Sequence, residues 1–257
     1  MTGKTPSTVS FVGSGPGDPE LITVRGMRLL EKADVVVYAG SLVKEKVLKY
    51  CREGAEIHNS ASMHLDEIMS VMVRAAKAGK AVVRLHTGDP SLYGALREQA
   101  EVLDSEGVPY EVVPGVSSAL ASAAALKKEL TMPGVTQTVI FTRLEGRTPV
   151  PESERLSALA VHNATVCVFL SASMIEKVVE ELKKGYPPET PAAVVYRATW
   201  EDEKKVTGTL EDIASKVKAE GISRHAVIIV GRAIGPDASG NSSLLYDKDF
   251  KHGYRKK

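Results

Sequence analysis

The residues with the most chemistry to offer stand together in one stretch, His86-Thr87-Gly88-Asp89-Pro90-Ser91-Leu92-Tyr93-Gly94. The His86 imidazole and the Tyr93 phenol can carry protons. The Asp89 carboxylate can accept from an ammonium group or from backbone N–H groups. Gly88 and Gly94 let a backbone approach a ligand closely, and Pro90 stiffens the turn. An apolar run, Ala81-Val82-Val83-Arg84-Leu85, precedes the stretch, and a helical pattern ending near Ser105 follows it. The order is strand, polar turn, helix. In open α/β sheets ligands collect at the carboxyl ends of strands, where such turns lie. The same residues also fit a loop without a ligand, in which Asp89 and Ser91 cap the next helix.

Two further turns have this character. Gly13-Ser14-Gly15-Pro16-Gly17-Asp18-Pro19 follows the apolar residues 9–12. A dinucleotide loop needs its glycines to open a helix, so that a pyrophosphate meets the helix N-terminus. Here Pro16 and Pro19 interrupt the loop and the helical pattern starts only near residue 21, which argues against a nicotinamide cofactor. Pro114-Gly115-Val116-Ser117-Ser118 ends a strand at 108–113 and opens an alanine-rich helix at 119–126. Its serines suit either a ligand or the helix cap. His58 and His64 lie close in sequence, but no cysteine or carboxylate set completes a metal site, and no metal is expected.

Composition bounds the partners. With 33 basic and 32 acidic residues the net charge is +1, which argues against a dedicated nucleic-acid or anionic-membrane binder. An anionic small molecule needs only a few local arginines. Cys51 and Cys167 are the two cysteines, too few for a disulfide framework, so a reducing compartment is expected. No apolar run approaches the roughly 18 residues of a membrane helix, and residues 1–7 have no apolar signal core. The expected location is the cytoplasm.

These turns are positioned by alternating elements. Strands are expected at 9–12, 34–38, 55–58, 81–85 and 108–113. Helices are expected at 21–30, from Ser41 as N-cap to about 50, at 65–78, up to 105, and at 119–126. Alternation of this kind implies a mostly parallel sheet covered on both faces. Pro133-Gly134 breaks the pattern. A second α/β unit then has strands at 138–142, 164–170, 191–196, 204–208 and 225–230, with helices at 154–160, 172–184 and 210–220. The expected division is 1–126, 127–235 and a polar C-terminal tail at 236–257.

Taken together, Gly13-Ser14-Gly15-Pro16-Gly17-Asp18, Gly88-Asp89-Pro90 and Val113-Pro114-Gly115-Val116-Ser117-Ser118 form an ordered set. This set resembles the tetrapyrrole methylase family, which transfers methyl groups from S-adenosylmethionine, and the resemblance spans roughly residues 9–231. It implies two α/β domains of the class III methyltransferase type with an interdomain cleft. The stretches 38–43, 85–95, 137–138 with 142–151, and 196–198 resemble the branch that methylates carbon 11 of precorrin-4 or cobalt-precorrin-4 in cobalamin biosynthesis. Uroporphyrinogen-methylating relatives usually carry an Asp after the tyrosine of the second strand and a Gly-Gly-Asp turn. This chain has Tyr38-Ala39-Gly40 and Thr87-Gly88-Asp89 instead.

The resemblance implies S-adenosylmethionine as cofactor, S-adenosylhomocysteine as product, a small-molecule tetrapyrrole as substrate, and a homodimer. The matching cofactor positions are Pro16, Thr87, Gly88, Asp89, Leu92, Ser117, Ser118, Leu170, Ser171, Tyr196, Arg197, Ala198 and Ala226. Asp89 suits the amino group of the methionine part, and Leu170 and Ala198 would flank the adenine. For the substrate and its many carboxylates the candidates are Gly15, Asp18, Arg84, Arg143 and Arg147, since arginine matches carboxylate in a bidentate manner. Salt bridges within the protein are an equal alternative for each arginine. His86 and Tyr93 are the candidate proton carriers. Two other readings stay open. One is another methylase of the same fold, acting at a different corrin-ring position or forming diphthine. The other is a nonenzymatic module that binds an adenosyl ligand.

Overall fold

The computed structural model describes residues 5–236, 250, 251 and 253. The chain divides into two compact units, Met1–Ala121 with Ala198–Asp202, and Ser122–Arg197 with Glu203–Lys257. Among the described residues, no helix is long and apolar enough to cross a membrane.

The first unit holds strands β1 (Val9–Gly13), β2 (Val35–Tyr38), β3 (Glu56–Asn59), β4 (Val82–His86) and β5 (Tyr110–Val113). Their order is β3-β2-β4-β1-β5, and every pairing is parallel. Between and after them run helices α1 (Val24–Leu30), α2 (Leu65–Lys77), α3 (Leu96–Ser105) and α4 (Ser118–Leu126). Apolar side chains leave the sheet on both sides. Phe11, Val37 and Val82 pack with Met69 and Met72 of α2 and Leu103 of α3. Val12, Val36, Val83 and Leu85 pack with Ile22 and with Leu30 of α1. Burial on both faces explains why β2 and β4 read as nearly continuous apolar runs. Because β4 and β5 flank β1, the loops leaving the carboxyl ends of these three strands emerge side by side.

The second unit holds β6 (Val139–Arg143), β7 (Thr165–Phe169), β8 (Pro191–Tyr196), β9 (Lys204–Thr209) and β10 (Ala226–Val230), with helices α5 (Leu156–Ala160), α6 (Ile175–Leu182) and α7 (Ile213–Ala219). The strand order is β6-β7-β10-β8-β9. Only β6 and β7 pair in parallel; the other three pairings are antiparallel. Val166, Val168, Val194, Ile228 and Val230 pack with Val178 and Leu182 of α6 and Ile213 and Val217 of α7.

Two features depart from the sequence expectations. Within 41–50 only Glu45–Tyr50 is helical, as a 3₁₀ segment whose N-cap is Lys44 and not Ser41. The boundary between units falls inside α4 instead of after it, and residues 198–202 group with the first unit. Of the expected tail at 236–257, only 236, 250, 251 and 253 are described; the remainder lies outside the described residues.

Candidate functional site

In the first unit, the loops after β1, β4 and β5 pack backbone to backbone. Gly15 and Gly88 form an antiparallel bridge, with the Gly88 N–H donating to the Gly15 carbonyl at 2.8 Å and the Gly15 N–H to the Gly88 carbonyl at 3.3 Å. A Cβ on Gly13 would stand 2.5 Å from the Gly88 carbonyl oxygen and 2.6 Å from the Gly115 Cα. The glycines therefore serve first to let the loops touch each other. Asp89 completes the join. Its Oδ2 accepts from the Gly115 N–H at 2.9 Å and its Oδ1 from the Ser91 N–H at 2.8 Å. The expectation that Asp89 and Ser91 cap the following helix is corrected, because Ala95, in a left-handed conformation, stands at the N-cap of α3.

The surface this join presents is mostly backbone. Gly88 has φ +58°, and a Cβ there would meet no atom closer than 3.8 Å, the nearest being the Ser117 Cα and the Ser118 N. The buried loop at Gly88 thus packs at ordinary contact distance against the first residues of α4. Ser117 is buried; its Oγ accepts from the Ala119 N–H at 3.3 Å and its carbonyl from the Ala121 N–H at 3.0 Å, so Ser117 is the helix cap. Ser118 and Thr87 are half-buried. The Leu92 N–H donates to the Asp89 carbonyl at 3.2 Å. Tyr93 follows with φ +56° and 48% exposure, and Ala95 with φ +48°. Two neighbouring non-glycine residues in the left-handed region store backbone strain, which accumulates at ligand sites.

A segment from late in the chain covers the first loop. The Trp200 Nε1–H donates to the Pro16 carbonyl at 2.9 Å, and the Asp18 N–H donates to the Thr199 Oγ1 at 2.9 Å. The Asp18 carboxylate accepts from the Glu20 N–H at 2.9 Å and caps the 3₁₀ turn Pro19–Leu21.

Two expectations are corrected by burial. Arg84 was a candidate for substrate carboxylates, but it is only 6% exposed. Its Nε donates to the Gln99 Oε1 at 3.1 Å, and its Nη1 to the Ser60 Oγ at 2.9 Å and the Val37 carbonyl at 3.3 Å. Burial pushes its pKa down to about 10, so it stays charged at neutral pH, directed at internal acceptors. His86 was a candidate proton carrier. It is 5% exposed, and its ring lies tilted at 48° to that of Phe11, with centres 5.9 Å apart. Burial, reinforced by the Arg84 charge, pushes its pKa down to about 3. A useful general base titrates near the operating pH, which counts against His86 in that role.

In the second unit, the ends of β7 and β8 carry the remaining candidates. Leu170 has φ +55° and is 64% exposed. Its neighbour Ser171 is fully buried, with its Oγ donating to the Phe169 carbonyl at 2.7 Å and accepting from the Leu144 N–H at 2.9 Å. A cofactor contact through the Ser171 side chain is corrected on this ground. Arg197 has φ +46° and its N–H donates to the His225 carbonyl at 2.8 Å; its guanidinium lies 5.2 Å from the Tyr196 ring centre. Ala226 pairs with Tyr196. Arg143 donates to the Thr148 and Pro149 carbonyls at 3.0 and 2.9 Å and so closes the charged loop, leaving Arg147 exposed on it.

A family model described as Tetrapyrrole (Corrin/Porphyrin) Methylases matches residues 8–214. The chain belongs to the tetrapyrrole methylase family. A Methanocaldococcus jannaschii protein named cobalt-precorrin-4 C(11)-methyltransferase is 59% identical over 249 residues, covering 96% of each chain. Relatives named for the same methylation of precorrin-4, without cobalt, match at 45–46%. The structure of a cobalt precorrin-4 methyltransferase superposes with a TM-score of 0.87 at 49% identity, covering 89% of this chain and 96% of that one. A Thermus thermophilus uroporphyrin-III C-methyltransferase complexed with S-adenosylhomocysteine superposes at 0.74 with 33% identity, covering 89% of this chain and 99% of that one.

For this tetrapyrrole methylase, the structure gathers Gly15, Pro16, Thr87, Gly88, Asp89, Leu92, Ser117 and Ser118 on adjoining loops of the first unit, with Ala198 in the segment grouped with it. It turns the Arg84 guanidinium away from them, toward Gln99, Ser60 and Val37. Trp200 is absent from the sequence candidates. Its signal was available: it is the single tryptophan, and it stands at a strand end.

Proposed function

We propose that this tetrapyrrole methylase transfers a methyl group from S-adenosylmethionine to carbon 11 of cobalt-precorrin-4 in cobalamin biosynthesis. The observation that carries the reading is the backbone join of the three glycine loops, Gly15 to Gly88 and Asp89 to Gly115, at the carboxyl ends of β1, β4 and β5. S-adenosylmethionine supplies an electrophilic methyl on a sulfonium, and the C–S electron pair stays on sulfur as S-adenosylhomocysteine forms. A sulfonium loses its positive charge in the transition state, so an anionic wall would favour the ground state and slow transfer. The loop cluster meets this requirement with backbone amides, carbonyls and small side chains. It contributes chiefly by orientation, which is worth several kcal/mol in intramolecular comparisons.

The residues divide the work. Thr87, Gly88, Leu92, Pro16 and Ser118 form the cofactor wall, and Asp89 faces the amino group while tying the loops. For the adenine the candidates are Ala198 in the first unit and, in the second, Leu170 with Tyr196, Arg197 and Ala226. Arg147 receives ring carboxylates, and Tyr93 is the remaining candidate proton carrier. The cobalt form is favoured because the 59% relative and the 49% structure both carry cobalt in their names. The reading includes a homodimer, for which exposed Tyr110 and Val112 on edge strand β5 supply apolar surface, and a cytoplasmic location, suited to the unpaired thiols of Cys51 and Cys167.

The test is incubation with methyl-labelled S-adenosylmethionine and the precorrin-4-stage ring, with and without cobalt. Transfer to the cobalt ring is expected to be the faster. Tight S-adenosylhomocysteine binding with no transfer to either ring would contradict the reading.

A further inference from the structure

Trp200 ties down the first loop through several contacts. Its N–H reaches the Pro16 carbonyl at 2.9 Å. Its indole lies so close over Gly17 that a Cβ there would overlap the ring, with the indole Cγ at 3.1 Å. Next to it, Thr199 has φ +70° and accepts from the Asp18 N–H. On the other side Glu201 is ion-paired with Lys44 and Lys46, and the Lys44 ammonium also stands 5.4 Å from the Trp200 ring centre. The chain thus leaves β8, places five residues (198–202) in the first unit, and returns to β9. The peptide groups at Pro16 and Asp18 are both held by this segment. Gly15, which makes the bridge to Gly88, is only one residue upstream.

We infer that Trp200 is a positioning residue for cofactor binding, holding the loop 13–18 so that Gly15 and Gly88 stay in register. It acts through the loop and does not touch the reacting atoms. The inference rests on the cofactor reading given above. Its signature is therefore a change in cofactor affinity without a matching change in the chemical step.

The test uses Trp200→Phe, which keeps the ring and removes the N–H donor, and Trp200→Ala, which removes both. One net hydrogen bond corresponds to about a two- to tenfold change in an equilibrium. The Kd for S-adenosylhomocysteine by calorimetry and the KM for S-adenosylmethionine are expected to rise about two- to tenfold in Trp200→Phe and more than about tenfold in Trp200→Ala. The kcat at saturating cofactor is expected to stay within about twofold of the native value. If Trp200→Ala does not fold, Trp200→Phe decides. Native-like Kd and KM in the folded variants would overturn the inference while leaving the cofactor reading in place, as would a fall in kcat alone. Failure of the native protein to bind S-adenosylhomocysteine at all would overturn both.

Discussion

The Asp89 carboxylate accepts from the Gly115 N–H at 2.9 Å, joining the loop after β4 to the loop after β5. Its other oxygen holds the Ser91 N–H. Removing a charged acceptor from two backbone donors costs about 1–3 kcal/mol when the donors find no replacement. Asp89→Ala is expected to weaken S-adenosylhomocysteine binding by about tenfold or more, with a smaller fall in stability because the side chain is half-exposed. Asp89→Asn keeps an acceptor for one N–H and should fall between. Calorimetric titration of the three proteins checks this; equal affinities would restrict Asp89 to shaping its own turn.

Glycines at two positions of the cluster should behave differently. A Cβ at Gly13 has nowhere to go, with the Gly88 carbonyl and the Gly115 Cα both in its way. Gly13→Ala is expected to lower stability by several kcal/mol, read as a fall in the urea midpoint. At Gly88, which is proposed for the cofactor wall, a Cβ meets only ordinary contacts at 3.8 Å with Ser117 and Ser118, and the φ of +58° adds about 1 kcal/mol of strain. Gly88→Ala should therefore stay folded and lose cofactor affinity out of proportion to its stability.

The fold was largely legible because β1, β2, β4 and the helix stripe of α2 have strong patterns, and glycines mark the helix ends. The mixed second sheet was not legible. Alternating strands and helices are compatible with either direction of pairing, and β10 enters between β7 and β8 through contacts remote in sequence. Arg84 misled for a related reason. All five residues of β4 are buried, so nothing in the run showed that the arginine at its centre turns inward to Gln99 and Ser60. Ser171 looked like a ligand hydroxyl but satisfies backbone groups at Phe169 and Leu144. The three glycine turns, by contrast, do lie together at one end of the first sheet, where their glycines serve loop packing.

His86 predicts a pH effect on stability. In the folded protein it resists protonation down to about pH 3, whereas in the unfolded chain it protonates near pH 6.5. Below about pH 6.5 the unfolded chain takes up the extra proton, so stability falls as pH drops toward about 3. Between pH 7 and 5, above the carboxylate range, urea midpoints should decline in the native protein and decline less in His86→Phe. Parallel curves would assign the effect to another group. Catalysis should show no dependence on a histidine titrating near neutrality at this position.

Leu170 separates binding from folding. At 64% exposure it contributes little to the core, so Leu170→Ala should shift stability by less than about 0.5 kcal/mol. If it flanks the adenine, loss of about 1–2 kcal/mol of apolar burial weakens S-adenosylhomocysteine about tenfold. Unchanged affinity would remove Leu170 from the site.

Arg147 separates substrate from cofactor. It is exposed on the loop that Arg143 closes. Arg147→Ala should raise the KM for the ring several-fold and leave S-adenosylhomocysteine affinity within about twofold, since an exposed ion pair is worth up to about 1 kcal/mol. An unchanged ring KM would return Arg147 to the solvated surface.

The central claim is the position of methylation. With ¹³C-methyl S-adenosylmethionine and cobalt-precorrin-4, NMR of the isolated product is expected to show one labelled methyl bonded to carbon 11. A label on any other ring carbon would contradict the account and make this tetrapyrrole methylase a different corrin-ring enzyme.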